Sequence, residues 1–282
     1  MVIYINLLNY LLDNLIFCFG GIVLGTKGEN ASVNELYVFN VDTYKWDIVQ
    51  SKLTPNDRCD FIWLKLEKFA IFYGGASSPE ENYHDDMWTF NYKEYDITNE
   101  NLSKGFQKHL WSEVKQKGDL PGKIKAYAME YSPVDDKLYL HGGHDSRGKK
   151  KGDLYRFHIK TNSWEIVKSK GKPPEKRSYH EMSLINKNHF VLFGGINGIF
   201  TRHDHMYNDI YMYNIIDSIW VSPIVGGINP SPRYGFSFCN NYNFEKIEIL
   251  ILGGIIDEAE YKLKSTNGNK YPRLYELTGS GK

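Results

Sequence analysis

The sequence predicts an all-β protein, and three observations support that class. Of the 282 residues, 15% are aromatic, and the chain contains 21 Tyr, 15 Phe and 25 Gly. Aromatic residues favour strands and Gly favours turns. In addition, a Gly pair follows a short apolar run five times, at intervals of 54, 68, 52 and 59 residues. The hydrophobic fraction of 41% excludes wholesale disorder, because it is enough to build a core.

Each repeat contains the same elements in the same order. An apolar strand ends in the Gly pair, and a polar segment, an aromatic strand and a Trp follow. The pairs are Gly20 and Gly21, Gly74 and Gly75, Gly142 and Gly143, Gly194 and Gly195, and Gly253 and Gly254. The aromatic strands carry Tyr37, Trp88, Tyr155, Tyr211 and Tyr275, and the spaced Trp residues are Trp46, Trp111, Trp164 and Trp220. With one more strand before each Gly pair, we predict four strands per repeat.

A four-stranded sheet cannot bury both of its faces alone, so neighbouring sheets must stack, and radial stacking of such sheets is a β-propeller. The Gly pair would let backbones approach closely, and the Trp would supply apolar surface between adjacent blades. Over nearly the whole chain, the Gly pairs, the LYxF strands and the spaced Trp resemble the kelch-repeat family.

The resemblance implies one kelch-type propeller domain of four-stranded antiparallel blades. Five blades are visible, at approximately 1–52, 53–118, 119–171, 172–226 and 227–282, and the first strand would lie in the apolar stretch 2–8. Because kelch propellers generally have six or seven blades, two arrangements stay open. Either a strand from the start of the chain closes a five-bladed ring, or the chain is an arc of an incomplete six- or seven-bladed ring, which the unmatched ends favour.

Charge and cysteine content limit the classes of partner. The 34 basic and 34 acidic residues balance, which argues against nucleic-acid binding. Three distant cysteines, Cys18, Cys59 and Cys239, indicate a reducing compartment and form no CxxC motif. The apolar first 21 residues lack Lys and Arg and are interrupted by polar residues, so we predict buried strands there. A cytoplasmic or nuclear protein without nucleic-acid or membrane partners is expected.

In an antiparallel blade with strands a to d, the b–c loops lie on one face together with the connections that lead into the next strand a. We expect basic residues on that face near the central channel: Arg58, Lys125, Arg177 and Arg233. Such cations would bind acidic side chains or a chain-terminal carboxylate. Alternatively, each one satisfies backbone carbonyls or a neighbouring acid. The b–c loops add further candidates for partner binding: Tyr83, His84, His144, Arg147, Arg202 and His203.

The sequence offers no constellation for catalysis, a metal or a cofactor. His203 and His205 are one residue apart, but spacing assigns no third ligand. The iron-dependent specifier proteins of plants, which are kelch propellers, carry Glu-x3-Asp-x3-His, whereas Glu81 and Asp85 are followed here by Thr89. The cysteines show no counterpart of a copper-oxidase crosslink. We therefore expect a protein that is not an enzyme.

The prediction for function is a non-enzymatic scaffold that binds a protein or peptide on the b–c face. Two alternatives remain within the kelch resemblance. The chain would be the substrate-recognition propeller of a ubiquitin ligase, or the regulatory propeller of a phosphatase or kinase whose catalytic part lies outside these residues. Local basic runs at 148–153 and 168–177 and a polar extension at 95–109 are secondary candidates for contact.

Overall fold

The computed structural model describes residues 7–12, 14–24, 30–79, 81–95, 110–198, 205–243, 246–256 and 275–279. Apart from one 3-10 turn at Tyr92–Glu94, all regular elements in these ranges are β-strands. The chain divides into two compact units, Met1–Lys125 and Ala126–Lys282. The predicted all-β class is therefore confirmed, while the five blade boundaries remain a prediction.

The first unit contains two antiparallel sheets, which we call blades 1 and 2. The strands are β1 (Leu7–Leu12), β2 (Leu15–Phe19), β3 (Ile22–Leu24), β4 (Asn30–Ser32), β5 (Leu36–Asn40), β6 (Lys45–Ile48), β7 (Trp63–Lys65), β8 (Ala70–Tyr73), β9 (Met87–Phe90), β10 (Trp111–Glu113) and β11 (Lys117–Gly118). Blade 1 has the order β1-β2-β5-β6 and blade 2 the order β7-β8-β9-β10, while β3 and β4 form a hairpin in the b–c loop of blade 1. β1, strand a of blade 1, shares residues 7 and 8 with the predicted stretch 2–8 and continues to Leu12, while residues 2–6 of that stretch fall outside the described residues.

The second unit contains blades 3 to 5. Its strands are β12 (Lys125–Ser132), β13 (Lys137–His144), β14 (Leu154–His158), β15 (Ser163–Ile166), β16 (Lys170–Gly171), β17 (Glu181–Asn186), β18 (His189–Phe193), β19 (Ile196–Asn197), β20 (His205–Met206), β21 (Ile210–Asn214), β22 (Ile219–Val221), β23 (Ser237–Asn243), β24 (Lys246–Leu252) and β25 (Tyr275–Gly279). Blade 3 is β12 to β15, blade 4 is β17-β18-β21-β22, and blade 5 is β23 to β25. β16 adds a short parallel strand to the outer edge of blade 4, and β19 pairs with β20 in the b–c loop.

The Gly pairs lie where the backbones of neighbouring blades meet. Gly142 has a φ of +73°, and a Cβ built on it would come within 2.6 Å of the carbonyl oxygen of Arg177 in blade 4. The amide of Gly143 donates to that same carbonyl at 2.9 Å. Any side chain at the first position would both adopt the left-handed conformation and displace the next blade.

The spaced Trp residues repeat one contact. Each packs on the aromatic residue opposite it in strand c with 4.9 Å between ring centroids: Phe39 and Trp46, Phe90 and Trp111, Phe157 and Trp164, Tyr213 and Trp220. Three of the four Trp side chains are 2% exposed, but Trp46 is 53% exposed. Trp111, Trp164 and Trp220 are therefore buried as an interface position would be, whereas Trp46 is exposed in the described structure.

Candidate functional site

The b–c face of the first unit is built around a buried arginine. The Arg58 side chain forms a bidentate ion pair with Asp86 at 2.7 and 2.9 Å. It also donates to the carbonyl oxygens of Gly74 at 2.9 Å and Asn56 at 3.0 Å, and it lies over the ring of Phe72. Although burial opposes ionisation of Asp86, the hydrogen bonds and charge of Arg58 hold the pKa of that carboxyl below its usual value. Arg58 is thus fully engaged within its own unit.

Arg177 repeats this arrangement in the second unit. It pairs with Asp209 at 2.5 and 2.9 Å, donates to the carbonyl oxygens of Gly194 and Glu175, and lies 3.9 Å from the ring centroid of Tyr207. Arg233 likewise donates to the carbonyl oxygens of Gly253 at 2.8 Å and Ser231 at 3.1 Å. All three guanidinium groups therefore bind backbone carbonyls, and those of Arg58 and Arg177 each bind a neighbouring acid, as the alternative interpretation of these residues predicts.

Lys125 does not belong to this set. The amide of the second Gly of each pair donates to the carbonyl oxygen of a residue that precedes strand a of the next blade. This residue is Arg58 for Gly21 and Arg177 for Gly143. For Gly75 that residue is Ile124, at 3.0 Å. Ile124 is therefore the equivalent of the arginines and Lys125 lies one residue further on, while a role of Lys125 in partner binding stays a prediction. The sequence here is Lys-Ile-Lys, in which composition alone cannot decide the register.

Lys125 is a partly exposed cation that pairs with a neighbouring acid. Its ammonium lies 3.3 Å from Asp60 and 5.3 Å from the ring centroid of Tyr83. Burial opposes its charge, but Asp60 raises the pKa of Lys125 above its usual value, so the lysine is cationic. His84 is buried and shares a 3.0 Å hydrogen bond with Ser77, and burial followed by the charge of Arg58 lowers its pKa.

Two tyrosines that the sequence did not single out stand on the b–c face of the second unit. Tyr179 and Tyr234 keep partial exposure, and their ring centroids are 5.9 Å apart. Tyr179 has a φ of +55°, a conformation that bulky residues rarely adopt. The amide of Tyr179 donates to the carbonyl oxygen of Ala126 at 2.8 Å, and the carbonyl oxygen of Tyr179 accepts from the amide of Gly235 at 3.0 Å. Hydrogen bonds to residues at the start of blades 3 and 5 therefore hold Tyr179 in place. The sequence signal that could have identified these two residues is a Tyr that follows Arg177 or Arg233 by one or two positions.

The predicted loop residues of the second unit divide into buried and exposed groups. His144 is buried, and its ring lies 5.7 Å from that of Tyr179. Arg147 is exposed on a turn that Asp145 fixes by accepting from the amides of Arg147 and Lys149 at 3.0 and 3.1 Å. Arg202 and His203 lie outside the described residues, as does most of the 95–109 extension. Arg147 and Tyr179 are therefore among the described residues of this face that solvent reaches.

Two histidines form a buried pair behind this face. The Nδ1 atom of His141 and the Nε2 atom of His180 are 3.0 Å apart. Burial, followed by the charge of Arg177, lowers the pKa of His141 to about 3. Burial also lowers the pKa of His180, so both imidazoles are neutral. This pair is a packing element of the junction between blades 3 and 4.

The described residues contain neither a cluster of metal ligands nor a helix that could span a membrane. In the ranges that the structure covers, no three His, Cys, Asp or Glu side chains come together in a way that could hold an ion. The same ranges contain no helix with the length and apolar character needed to cross a bilayer. Thr89, at the place of the specifier-protein His, donates its hydroxyl to the carbonyl of Ser112 at 3.3 Å.

Comparisons with known proteins agree with this architecture. Residues 93–266 match the family model of the KLHDC2/KLHL20/DRC7 Kelch-repeats domain. The chain is 22% identical over 273 residues to Kelch domain-containing protein 2 of Bos taurus, covering 92% of this chain and 63% of that protein. It is 26% identical over 151 residues to N-(sulfonatooxy)prop-2-enimidothioate sulfolyase of Thlaspi arvense, covering 52% of this chain and 38% of that enzyme.

A solved structure shows the same fold. The structure of YjhT superimposes with a TM-score of 0.68 at 14% identity, covering 97% of this chain and 80% of YjhT. The chain spans less than two thirds of the length of the curated relatives described above. The similarity therefore concerns the propeller, and the predicted kelch-type propeller fold is confirmed.

Proposed function

The chain belongs to the KLHDC2/KLHL20/DRC7 kelch-repeat family, and from that premise we propose that it is a non-enzymatic scaffold that binds a protein or peptide on the b–c face. One observation carries this proposal: Tyr179 is held in a left-handed conformation on that face beside Tyr234, and both rings keep partial exposure. The same left-handed conformation occurs at Asp60, Ala126 and Gly235, the equivalent positions of the other blades, so it belongs to the repeat and here serves to present the Tyr179 ring on this face.

The chemistry of the face supports an acidic or carboxylate-bearing partner with an apolar side chain. Aromatic residues and Arg are the residue types that dominate protein interfaces. Arg147 and Lys149 are exposed on the turn after His144 in the second unit. The buried arginines make a poor site for a ligand, because their donors already bind carbonyls and Asp86 or Asp209.

The non-catalytic assignment rests on the same geometry. The sulfolyase relative bears an enzyme name, but at the specifier-protein motif this chain has Thr89, whose hydroxyl binds a backbone carbonyl. Neither the buried histidine pair nor the ion pairs of Arg58 and Arg177 leave a group poised for acid–base work on a substrate.

The test compares two surface variants with a matched control. Tyr179→Ala and Arg147→Glu change the b–c face of the second unit, whereas Lys160→Glu changes an exposed lysine in the c–d turn of blade 3. Each tagged protein is used for affinity purification, and the dissociation constant of the recovered partner is measured by titration. We expect about tenfold weaker binding, or about 1.4 kcal/mol, for the first two variants and unchanged binding for the control. Equal affinity of all three variants would contradict the proposal.

A further inference from the structure

Two runs of the second unit, 145–153 and 168–177, are basic in a chain whose 34 basic and 34 acidic residues balance. The first run carries four cations and two acids, and the second carries five cations and one acid, which gives nine cations against three acids and a net charge of +6. The b–c loop of blade 2, at 76–86, has four acids and no Lys or Arg. The basic character therefore belongs to blade 3 and the connection after it, and not to the repeat.

The two runs are in direct contact on the b–c face. The amide of Arg177 donates to the carbonyl oxygen of Lys151 at 3.2 Å. Beside this bond, a Cβ on Gly152 would lie 2.9 Å from the side chain of Lys176 and 3.4 Å from its Cα. Cations that are distant in the sequence therefore share one part of the face. We call this part the basic surface and define it by four residues: Arg147, Lys149, Lys151 and Lys176.

The turn that carries the first three of these residues is held by its own hydrogen bonds. The carboxylate of Asp145 accepts from the amides of Arg147 and Lys149 at 3.0 and 3.1 Å. The amide of Lys151 donates to the carbonyl oxygen of Gly143 at 2.9 Å, so the turn is also anchored to the Gly pair of blade 3. A backbone that is ordered in advance loses less conformational entropy when a ligand binds.

The segment that carries Lys176 is rigid as well. Pro173 and Pro174 precede it, and their rings fix the backbone φ. Pro174 is buried, and the carbonyl oxygen of Glu175 accepts from the Nε atom of Arg177 at 2.9 Å. Lys176 is exposed between these anchored residues. The basic surface therefore presents cations from two fixed pieces of backbone.

Acids of the second unit leave most of this charge unneutralised. Within the part of the chain that the structure describes, Arg147, Lys149 and Lys176 form no ion pair, and the ammonium of Lys151 lies 3.9 Å from Asp145. Residues 199–204, which fall outside the described ranges, carry one Arg and one Asp, so they do not change the balance. The basic surface is therefore a site for an anion.

We propose that the basic surface binds a phosphorylated side chain of the protein or peptide partner, an inference that rests on the proposed function because the surface lies on the same b–c face. A phosphorylated side chain carries about −1.5 to −2 charges at pH 7 and has three acceptor oxygens. Lysine ammonium groups are compact charges with rotatable donors, whereas the planar fork of Arg matches a planar carboxylate. Three lysines beside one arginine therefore favour phosphate over an Asp or Glu side chain.

The surroundings of the basic surface favour a protein over other carriers of phosphate. Apart from Pro173, the exposed residues of the two runs are charged, polar or Gly, so no large apolar side chain is presented to a bilayer. The neutral chain lacks the overall basic charge typical of nucleic-acid binding. The ring of Tyr179 lies 5.7 Å from that of His144, the residue before the turn, and is partly exposed. An aromatic ring beside the cations suits a peptide side chain next to the phosphate.

The first experiment titrates the whole chain into a fluorescein-labelled alanine heptapeptide with two phosphoserines, and fluorescence anisotropy reports binding. We expect binding at least about tenfold tighter than that of the same peptide with Ser or Glu at both positions. Lys149→Glu and Lys176→Glu, one in each run, should weaken it by about tenfold each. Lys160→Glu, an exposed lysine in the c–d turn of blade 3, is the matched control and should not change it. A phosphopeptide that binds no better than its Ser version, or an equal loss in the control, would overturn the proposal.

The second experiment separates this inference from the proposed function. The partner recovered by affinity purification is titrated before and after phosphatase treatment. We expect dephosphorylation to weaken binding to the wild type and to have little effect on binding to Lys149→Glu. An affinity that depends on Tyr179 but not on phosphate would overturn this inference and leave the proposed function standing. Conversely, phosphate dependence without any effect of Tyr179→Ala would support the phosphate site and contradict the role of the tyrosine pair.

A third measurement tests the class of partner. Vesicles that contain phosphatidylserine and a single-stranded DNA are titrated with the same proteins at equal phosphate concentration. We expect both to bind more weakly than the phosphopeptide. Tighter binding of either one, with loss in Lys149→Glu and Lys176→Glu, would assign the basic surface to a membrane or a nucleic acid and overturn the proposal.

Discussion

The buried arginines show how a charged side chain is accommodated inside a junction. Arg177 has no exposed surface, and its charge is matched by Asp209, by two carbonyl oxygens and by the ring of Tyr207. Removing two ions from water is costly, and good geometry only offsets that cost, so the intact pair adds little net stability. The loss of one partner is different, because it leaves an uncompensated charge in the interior.

At the residue scale, we therefore predict that Asp209→Ala lowers the free energy of unfolding by about 3–5 kcal/mol, because Arg177 is left buried and unpaired. Urea unfolding followed by fluorescence measures this change. Lys160→Ala is the matched control: its ammonium lies 3.7 Å from Asp136, but the lysine is 84% exposed, so its removal should change the free energy by less than about 1 kcal/mol. Similar losses for both variants would mean that burial of Arg177 does not govern the effect.

At the scale of the element, the turn from strand b into the b–c loop depends on the Gly pair. The first Gly leaves room for the carbonyl of the next blade, and the second Gly donates to it. Gly226 and Gly227 form a pair in the sequence too, but they lie in the connection from blade 4 to blade 5, where a Cβ on either residue would meet nothing within 4 Å. The same dipeptide therefore has two different physical roles.

We predict that Gly142→Ala destabilises the protein by more than about 2 kcal/mol. The added Cβ would lie 2.6 Å from the Arg177 carbonyl in a left-handed backbone, which combines overpacking with conformational strain. Gly226→Ala is expected to stay within about 0.5 kcal/mol of the wild type, because the position is open and exposed. Differential scanning calorimetry of the two variants provides the comparison, and a harmless Gly142→Ala would show that the two blades can separate at little cost.

At the scale of the whole molecule, stability depends on two carboxyl groups of the inner strands. Glu130 in β12 accepts from the amide of Leu184 in β17 at 3.2 Å and so ties blade 3 to blade 4. Burial raises the pKa of Glu130 to about 7, and burial together with the charge of Glu130 raises that of Glu181 to about 8. The two groups interact, so they titrate as a pair.

The sign of the pH dependence follows from these shifts. The folded pKa values lie above the usual 4.5 of a glutamate, so the folded chain holds more protons than the unfolded chain between about pH 4.5 and pH 8. We predict that the free energy of unfolding falls by at least about 2 kcal/mol from pH 5 to pH 8, and that Glu130→Gln with Glu181→Gln removes most of this fall. Urea titrations at several pH values test this, with Glu175→Gln as the exposed control. An unchanged pH profile in the double variant would assign the effect to other groups.

Local sequence determined the repeat and the residues that build each blade. The Gly pair, the aromatic strand and the Trp are contiguous signals, because strand alternation and left-handed turns are set by nearby residues. The all-β class, the order of strands and the kelch resemblance followed from them. The arginines were found for the same reason, although the sequence left open whether they bind a partner or the neighbouring backbone.

Tertiary structure decided the points that depend on a neighbour in space. The hydrogen bond from the Gly75 amide shows that Ile124, and not the adjacent Lys125, occupies the position of the arginines, and the sequence does not contain that information. Trp46 and Trp111 have the same local pattern, yet one is exposed and the other is buried, because burial requires a covering face from another blade. Tyr179 shares its left-handed backbone with Asp60, Ala126 and Gly235 at the equivalent positions, but only the fold places its ring beside that of Tyr234. Close packing between blades is a property of pairs of distant segments, so the sequence of one segment cannot contain it.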